Sequence, residues 1–325
     1  MIRPCLIVFV SFISAALADY EVPGSGPRAL QLQEDDRSWD LFVRVFTGYD
    51  DNPMLIPDQT FFIGDKSSGL IGITAEGSYR RPLGQNFEGG FAMRLDQTFY
   101  FDENANDFDL TVINPALFLN YRCDGSMPIY AQVRYDFRYE EASLEGIGMI
   151  GNGVAAMIGL EVHPCVSLEL GYSHSWEDYD VAFYGISDDR DGDRGVLTLR
   201  SLIDITDTVR AVGYVSYTDN SADGISWDYD GYEIGAYLEG HIAGPFFGRI
   251  GGSFGDRDYK GFRSPFVPAP GRTEADVIKF DAHLYWVLGP RLTADVYYEY
   301  LKIDTNSPIF DSDRNHTGVG LTYRF

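Results

Sequence analysis

The chain is poor in what disulfide scaffolds, nucleic-acid binders and helical membrane proteins have in quantity. It holds 3 cysteines in 325 residues, too few for a fold stapled by disulfides. Basic residues number 25 against 49 acidic ones, a net charge of −24, so nucleic-acid phosphates would be repelled. Past residue 18 there is no run of 18 consecutive apolar residues, which excludes a bundle of membrane-spanning helices. From Trp39 onward the 3.6-residue period of amphipathic helices is nearly missing too.

Aromatics and glycine are plentiful instead: 22 Tyr, 22 Phe and 35 Gly, a mixture suited to strands and tight turns. Residues 1–18 read as a signal peptide. Arg3 and the amino terminus give a positive region, Cys5 to Ala15 an apolar one, and Ala16, Leu17 and Ala18 a small-residue cleavage site. Its roughly 14 apolar residues fall short of the about 20 needed to span a bilayer. Residues 19–37 are then a short periplasmic segment, and 38–325 a single folded unit.

That unit alternates with period two. In Phe87 to Phe101 the odd positions include Phe87, Phe91, Met93, Leu95 and Phe99, and the even ones Glu88, Arg94, Asp96 and Thr98. Ile129 to Glu140 and Ile278 to Trp286 repeat the pattern. Strands of a soluble sandwich average five or six residues. Runs of about ten or more suit a tilted crossing of a bilayer, where every backbone group must be paired and the sheet must close. The expected fold is therefore all-β, a transmembrane antiparallel up-and-down barrel of about fourteen strands. These cover 38–48, 69–80, 87–101, 109–121, 129–140, 153–163, 166–177, 195–203, 209–218, 231–242, 246–255, 277–288, 292–301 and 315–325. Short and long connections alternate, and the even strand number puts both termini in the periplasm. Pro115 cannot donate to a ladder, so a bulge or a later strand start is expected there.

Charged residues on the inward parity are the pore-lining candidates: Arg94, Asp96, Arg134, Asp136, Arg138, Glu161, Glu239, Arg249, Lys279, Asp281 and Glu299. Rings of charge in a watery lumen tune ion selectivity. The competing reading is a salt-bridge lattice filling a closed barrel; fourteen strands enclose more than eight can fill with side chains alone. The connection from Asp256 to Asp276 holds Arg263, Pro265, Phe266, Pro268 and Pro270 and is the candidate constriction loop, because prolines lower the entropy lost on ordering. Cys123 and Cys165, both in predicted periplasmic turns, are the disulfide candidate. The seven long connections together carry −20, an acidic outer rim that attracts cations within a Debye length of about 8–10 Å.

Catalysis, cofactors and metals find no support. Ser173, His174 and Ser175 precede Trp176, where lipid-cleaving barrels need Asn, and from Asp189 the sixth and twelfth positions of a calcium loop are Arg194 and Arg200. No cofactor and no resident metal are expected, and the expected activity is passive diffusion of small hydrophilic solutes. Two alternatives stand beside it: a secretion or assembly barrel, such as one exporting polysaccharide, and a structural or adhesive envelope barrel acting through its acidic loops.

The final residues Val319, Leu321, Tyr323 and Phe325 share one face. This ending resembles the terminal strand of Gram-negative outer-membrane proteins, which implies that Tyr323 and Phe325 are an assembly signal read by the barrel-assembly machinery. It also implies outer-membrane lipid and lipopolysaccharide as partners. Gly48 to Pro53, with Asp50, Asp51 and Asn52, and Asp311 to Asn315 resemble the ends of porin-like families of the second β-barrel porin superfamily. They are also similar to the barrel part of surface-lipoprotein assembly modifiers, whose helical repeat domain this chain lacks.

Overall fold

The computed structural model describes residues 38–53, 67–103, 105–106, 109–143, 148–180, 189–224, 227–261, 273–306 and 311–325. The signal peptide, the segment 19–37 and the candidate constriction residues Arg263, Pro265, Phe266, Pro268 and Pro270 lie outside them. The strands are β1 (Trp39–Asp50), β2 (Ser68–Pro82), β3 (Phe87–Tyr100), β4 (Leu110–Cys123), β5 (Ile129–Ala142), β6 (Met149–His163) and β7 (Val166–Tyr179). They continue as β8 (Gly192–Thr206), β9 (Val209–Ala222), β10 (Tyr229–Ala243), β11 (Phe246–Tyr259), β12 (Thr273–Gly289), β13 (Leu292–Thr305) and β14 (Ser312–Arg324). Each pairs antiparallel with its sequence neighbours, and β14 pairs with β1 to close the barrel.

The alternation seen in the sequence becomes two faces. The outer face is an apolar belt: Val45, Leu117, Val133, Ile158, Leu199 and Ile250 are each more than 40 % exposed. Exposed apolar surface on this scale is stable only against lipid. Aromatic side chains border it at both rims, with Trp39, Phe87 and Trp286 towards the short turns and Tyr49 and Trp176 towards the long connections, as interfacial rings do.

Three expectations need correction. Most strands overrun their predicted ends on the long-connection side; β11 continues through Asp256, Arg257 and Asp258 to Tyr259, and β12 begins at Thr273. Apolar alternation stops where the chain leaves the lipid, whereas the backbone ladder continues. Charges such as Asp219, Asp230, Glu274, Asp276 and Asp304 therefore sit on strands, and the acidity assigned to loops is partly an outer wall of the barrel above the apolar belt.

At Pro115 there is no bulge, and β4 does not start after it. The β4–β5 register is the same on both sides of a two-residue gap at Asn114 and Pro115. The Asn114 side-chain amide donates to Phe137 O at 2.8 Å, so a side chain supplies a donor beside the proline that lacks one.

Cys123 and Cys165 are free. Cys123 ends β4 and Cys165 lies between β6 and β7, so at least two inter-strand spacings of about 4.8 Å separate them, beyond the roughly 7 Å that a disulfide permits between Cα atoms. Cys165 Sγ instead meets His163 Nδ1 at 2.9 Å.

Candidate functional site

The inner face is polar, and its charges are paired across the wall. All eleven pore-lining candidates fall on the inward parity of their strands. Arg94 bonds Asp96 at 2.6 Å and Arg134 bonds Asp136 at 2.6 Å. Arg138 contacts Glu140; in all three cases the partners are two residues apart, successive inward positions of one strand. Other pairs cross between strands: Glu161 with Arg122 at 3.0 Å, Lys279 with Glu233 at 3.0 Å and Asp281 with Arg249 at 3.3 Å. Glu239, 7 % exposed, sits in register between Arg210 and Arg249.

Inward glycines make the longer bridges geometrically possible. Arg44 of β1 reaches Asp295 of β13 at 2.6 Å across the intervening β14. Gly320 of β14 lies beneath: a Cβ there would stand 2.5 Å from Asp295 Oδ1 and 2.7 Å from Arg44 Nε. Tyr130 of β5 bonds Glu169 of β7 at 2.8 Å in the same way, its ring lying over Gly159 of β6. The wall is thus a fitted lattice whose side chains lean over bare backbone.

Exposure is uneven around this lattice. Arg94 and Arg122 keep 46 % and 58 % of their side-chain surface exposed. Towards the long connections the inner face of β10–β13 is covered, and Tyr229, Tyr259, Ala275, Val277, Leu301 and Ile303 form a buried apolar cluster.

Three groups escaped sequence reasoning. At the closing seam Asp50 is fully buried and paired with Arg314, while Asp51 accepts both the backbone and the side-chain N–H of Asn315, at 2.6 and 2.7 Å. On β13 and β14, His316 Nδ1 meets Glu299 at 3.1 Å, and its Nε2 meets the Tyr297 hydroxyl at 3.0 Å. His283 of β12 lies 3.9 Å from the other oxygen of Glu299. The signal was there: extending the even parity of β14 back from Gly318 turns His316 and Arg314 inward.

Loop carboxylates form the third group, and they act as staples. Asp109 accepts the backbone N–H of Tyr100, Asp191 that of Tyr179, Asp228 that of Ala222 and Asp311 that of Thr305, at 2.6 to 2.7 Å. Each ties the two arms of one long connection together. Burial and the nearby carboxylates of Asp189, Asp178 and Asp223 hold the Asp191 carboxyl above the ordinary aspartate range, against the bond from Tyr179. No three His, Cys, Asp or Glu side chains among the described residues could hold a metal ion together. At the other rim Tyr323 and Phe325 lie on the outer face with their rings edge to face, 4.9 Å apart.

No protein-family model and no curated protein matches this sequence. Among solved structures, the chain is similar to a deltaS2 mutant of the TodX monoaromatic hydrocarbon channel, with TM-score 0.51 and 11 % identity over 93 % of this chain and 95 % of that one. It also matches the outer membrane channel DcaP of Acinetobacter baumannii, with TM-score 0.49 and 12 % identity over 88 % of this chain and 96 % of that one. At such identities the likeness concerns the fold: this chain is a closed, fourteen-stranded antiparallel β-barrel of the architecture found in outer-membrane channels.

Proposed function

We propose that the protein is an outer-membrane barrel through which small hydrophilic solutes diffuse passively, with a mouth that favours cations. The observation that carries this reading is a charged inner face whose side chains remain part exposed inside a closed barrel. Arg94 and Glu299 keep 46 and 42 % of their side-chain surface, whereas a lattice packed solid would cover them. Mixed signs along the wall suit small solutes of either charge better than an acidic polymer, which would call for a basic duct. The fold it shares with the TodX monoaromatic hydrocarbon channel supports a channel in general.

In this reading the pore-lining residues include Arg94, Asp96, Arg134, Asp136, Arg138, Glu161, Glu239, Arg249, Lys279, Asp281 and Glu299. Both termini lie in the periplasm, after export on the signal peptide of residues 1–18. Tyr323 and Phe325 present the assembly signal, and the acidic outer wall faces lipopolysaccharide. Reconstitution into planar bilayers tests it: discrete conductance steps with cation preference at neutral pH are expected, and a folded barrel without conductance overturns it.

A further inference from the structure

Most carboxylates of the inner wall are held by arginine or lysine, whose charge is fixed across the physiological range. Asp295 has Arg44, Asp96 has Arg94, Glu177 has Arg194, Glu233 has Lys279 and Asp281 has Arg249. Glu299 differs. Its ion-pair contacts are two imidazoles, His316 Nδ1 at 3.1 Å and His283 Nε2 at 3.9 Å. It also keeps 42 % of its side chain exposed, while the two histidines keep 15 % and 20 %. The register makes this a built arrangement: Glu299 pairs directly with His316, and Tyr297, one inward step along β13, pairs with His283. Tyr297 joins the two, its hydroxyl 3.0 Å from His316 Nε2 and its ring stacked on that of His283 with centroids 5.9 Å apart.

We propose that Glu299, flanked by His283 and His316, is the charge-selecting station of the lumen, a carboxylate that draws small cations while its imidazoles are neutral and loses that preference once they take up protons. The inference rests on the channel reading and names the solute class that this part of the wall selects. Imidazole is the side chain whose ordinary value, about 6.5, lies within the range that an envelope meets. With both rings neutral the station carries one negative charge; with both protonated it carries one positive charge.

The surrounding charges are fixed by comparison. His316 is faced by Arg314 on its own strand, by Glu299 and Tyr297 on β13, and by Asp50 on β1, itself bound by Arg314. His283 is faced by Asp281 and Tyr285 on β12, Arg249 on β11, Glu299 and Tyr297 on β13, and Arg44 from β1. The other inward histidines bind elsewhere, His163 to Cys165 and His241 to Gly244 O at 2.9 Å.

The test is the reversal potential of the full barrel in planar bilayers under a potassium chloride gradient, titrated from about pH 8 to about pH 5 across the ordinary imidazole value. Cation over anion preference should fall severalfold in the native protein and stay flat in the double variant His283→Gln with His316→Gln. Glu299→Gln should lower cation preference at the alkaline end, and His163→Gln and His241→Gln should leave the slope unchanged. Folding of each variant is checked by its heat-modifiable shift on gels; His316→Gln alone, with a reduced slope, serves if the double variant does not fold. Steady selectivity across the titration in a conducting native barrel overturns the station and leaves the channel reading intact, as does an unchanged slope in the histidine variants. A folded barrel with no conductance removes the channel reading, and the station falls with it.

Discussion

Between β1 and β14 nine positions pair, from Phe42 to Asp50, whereas each junction from β10 to β13 pairs over fourteen. The short seam is reinforced by side chains: Arg314 on Asp50, Arg324 on Asp40 at 2.7 Å, Arg44 on Asp295 at 2.6 Å and Asn315 on Asp51. Across β10–β13 the inner face is closed by the apolar cluster of Tyr229, Tyr259, Ala275, Val277, Leu301 and Ile303. The wall adds an apolar cluster to a longer ladder and to ion pairs such as Lys279 with Glu233, while the seam, with its shorter ladder, relies on directional polar contacts. The difference has a physical reason. The chain's two ends meet at the seam without a covalent turn, so register there must be specified by groups that fit only one alignment, and paired charges do this better than grease.

Breaking the seam should have the largest effect. Asp50→Ala strands the Arg314 guanidinium in a buried site, which should lower stability by about 3–5 kcal/mol, read as a lower urea midpoint for the folded barrel in detergent. Replacing the pair together, Asp50→Leu with Arg314→Met, should recover most of that loss, because no charge is then left alone; failure to recover would show that the pair specifies the closure and does more than satisfy itself.

In the wall, Ile303→Ala should cost about 2–4 kcal/mol through its cavity while leaving seam-dependent assembly intact, measured by the same unfolding curve and by folding yield. A loss of folding yield as large as that of Asp50→Ala would erase the contrast. Gly320→Val should come next, at about 1–3 kcal/mol, because the new side chain displaces Arg44 from Asp295. The smallest effect is expected at a loop staple outside both regions. Asp191 has a raised pKa in the folded protein, so its ionised form disfavours folding near neutrality. Asp191→Asn, which can still accept from Tyr179, should stabilise slightly at about pH 7, and the gain should vanish as pH falls below the ordinary aspartate value of about 3.9, where both side chains are neutral.

Much of this was legible beforehand. Alternation in Phe87 to Phe101 and Ile129 to Glu140 fixes which side chains face lipid and which face inward, because the period of a strand is two whatever its neighbours do. Turn positions are equally plain to within two residues: the pattern breaks at Arg81 to Asn86 and at Ala243 to Pro245, and the strands end at Pro82 and Ala243. Strand ends were legible only up to the edge of the lipid. Beyond it, in Asp256 to Tyr259 and Lys302 to Thr305, the outward positions carry charges instead of apolar side chains, and only the ladder reveals these segments as strands. At Pro115 the sequence displays the missing backbone donor, whereas the donation from the Asn114 side-chain amide to Phe137 O appears only once β4 and β5 are paired.

The sequence by itself determined the architecture: a barrel of fourteen strands with an apolar exterior and a charged interior, since local alternation and turn spacing suffice for that. Partnership was decided only by the tertiary structure. Which arginine meets which carboxylate depends on the stagger between strands, and on glycines such as Gly320 and Gly159 that let a side chain lean across to the strand beyond. Arg44 and Asp295 are 251 residues apart in the chain and 2.6 Å apart in the wall, and Cys123 and Cys165 are kept apart by the strands between them. Closure of the sheet sets those distances, and closure is a property of all fourteen registers together.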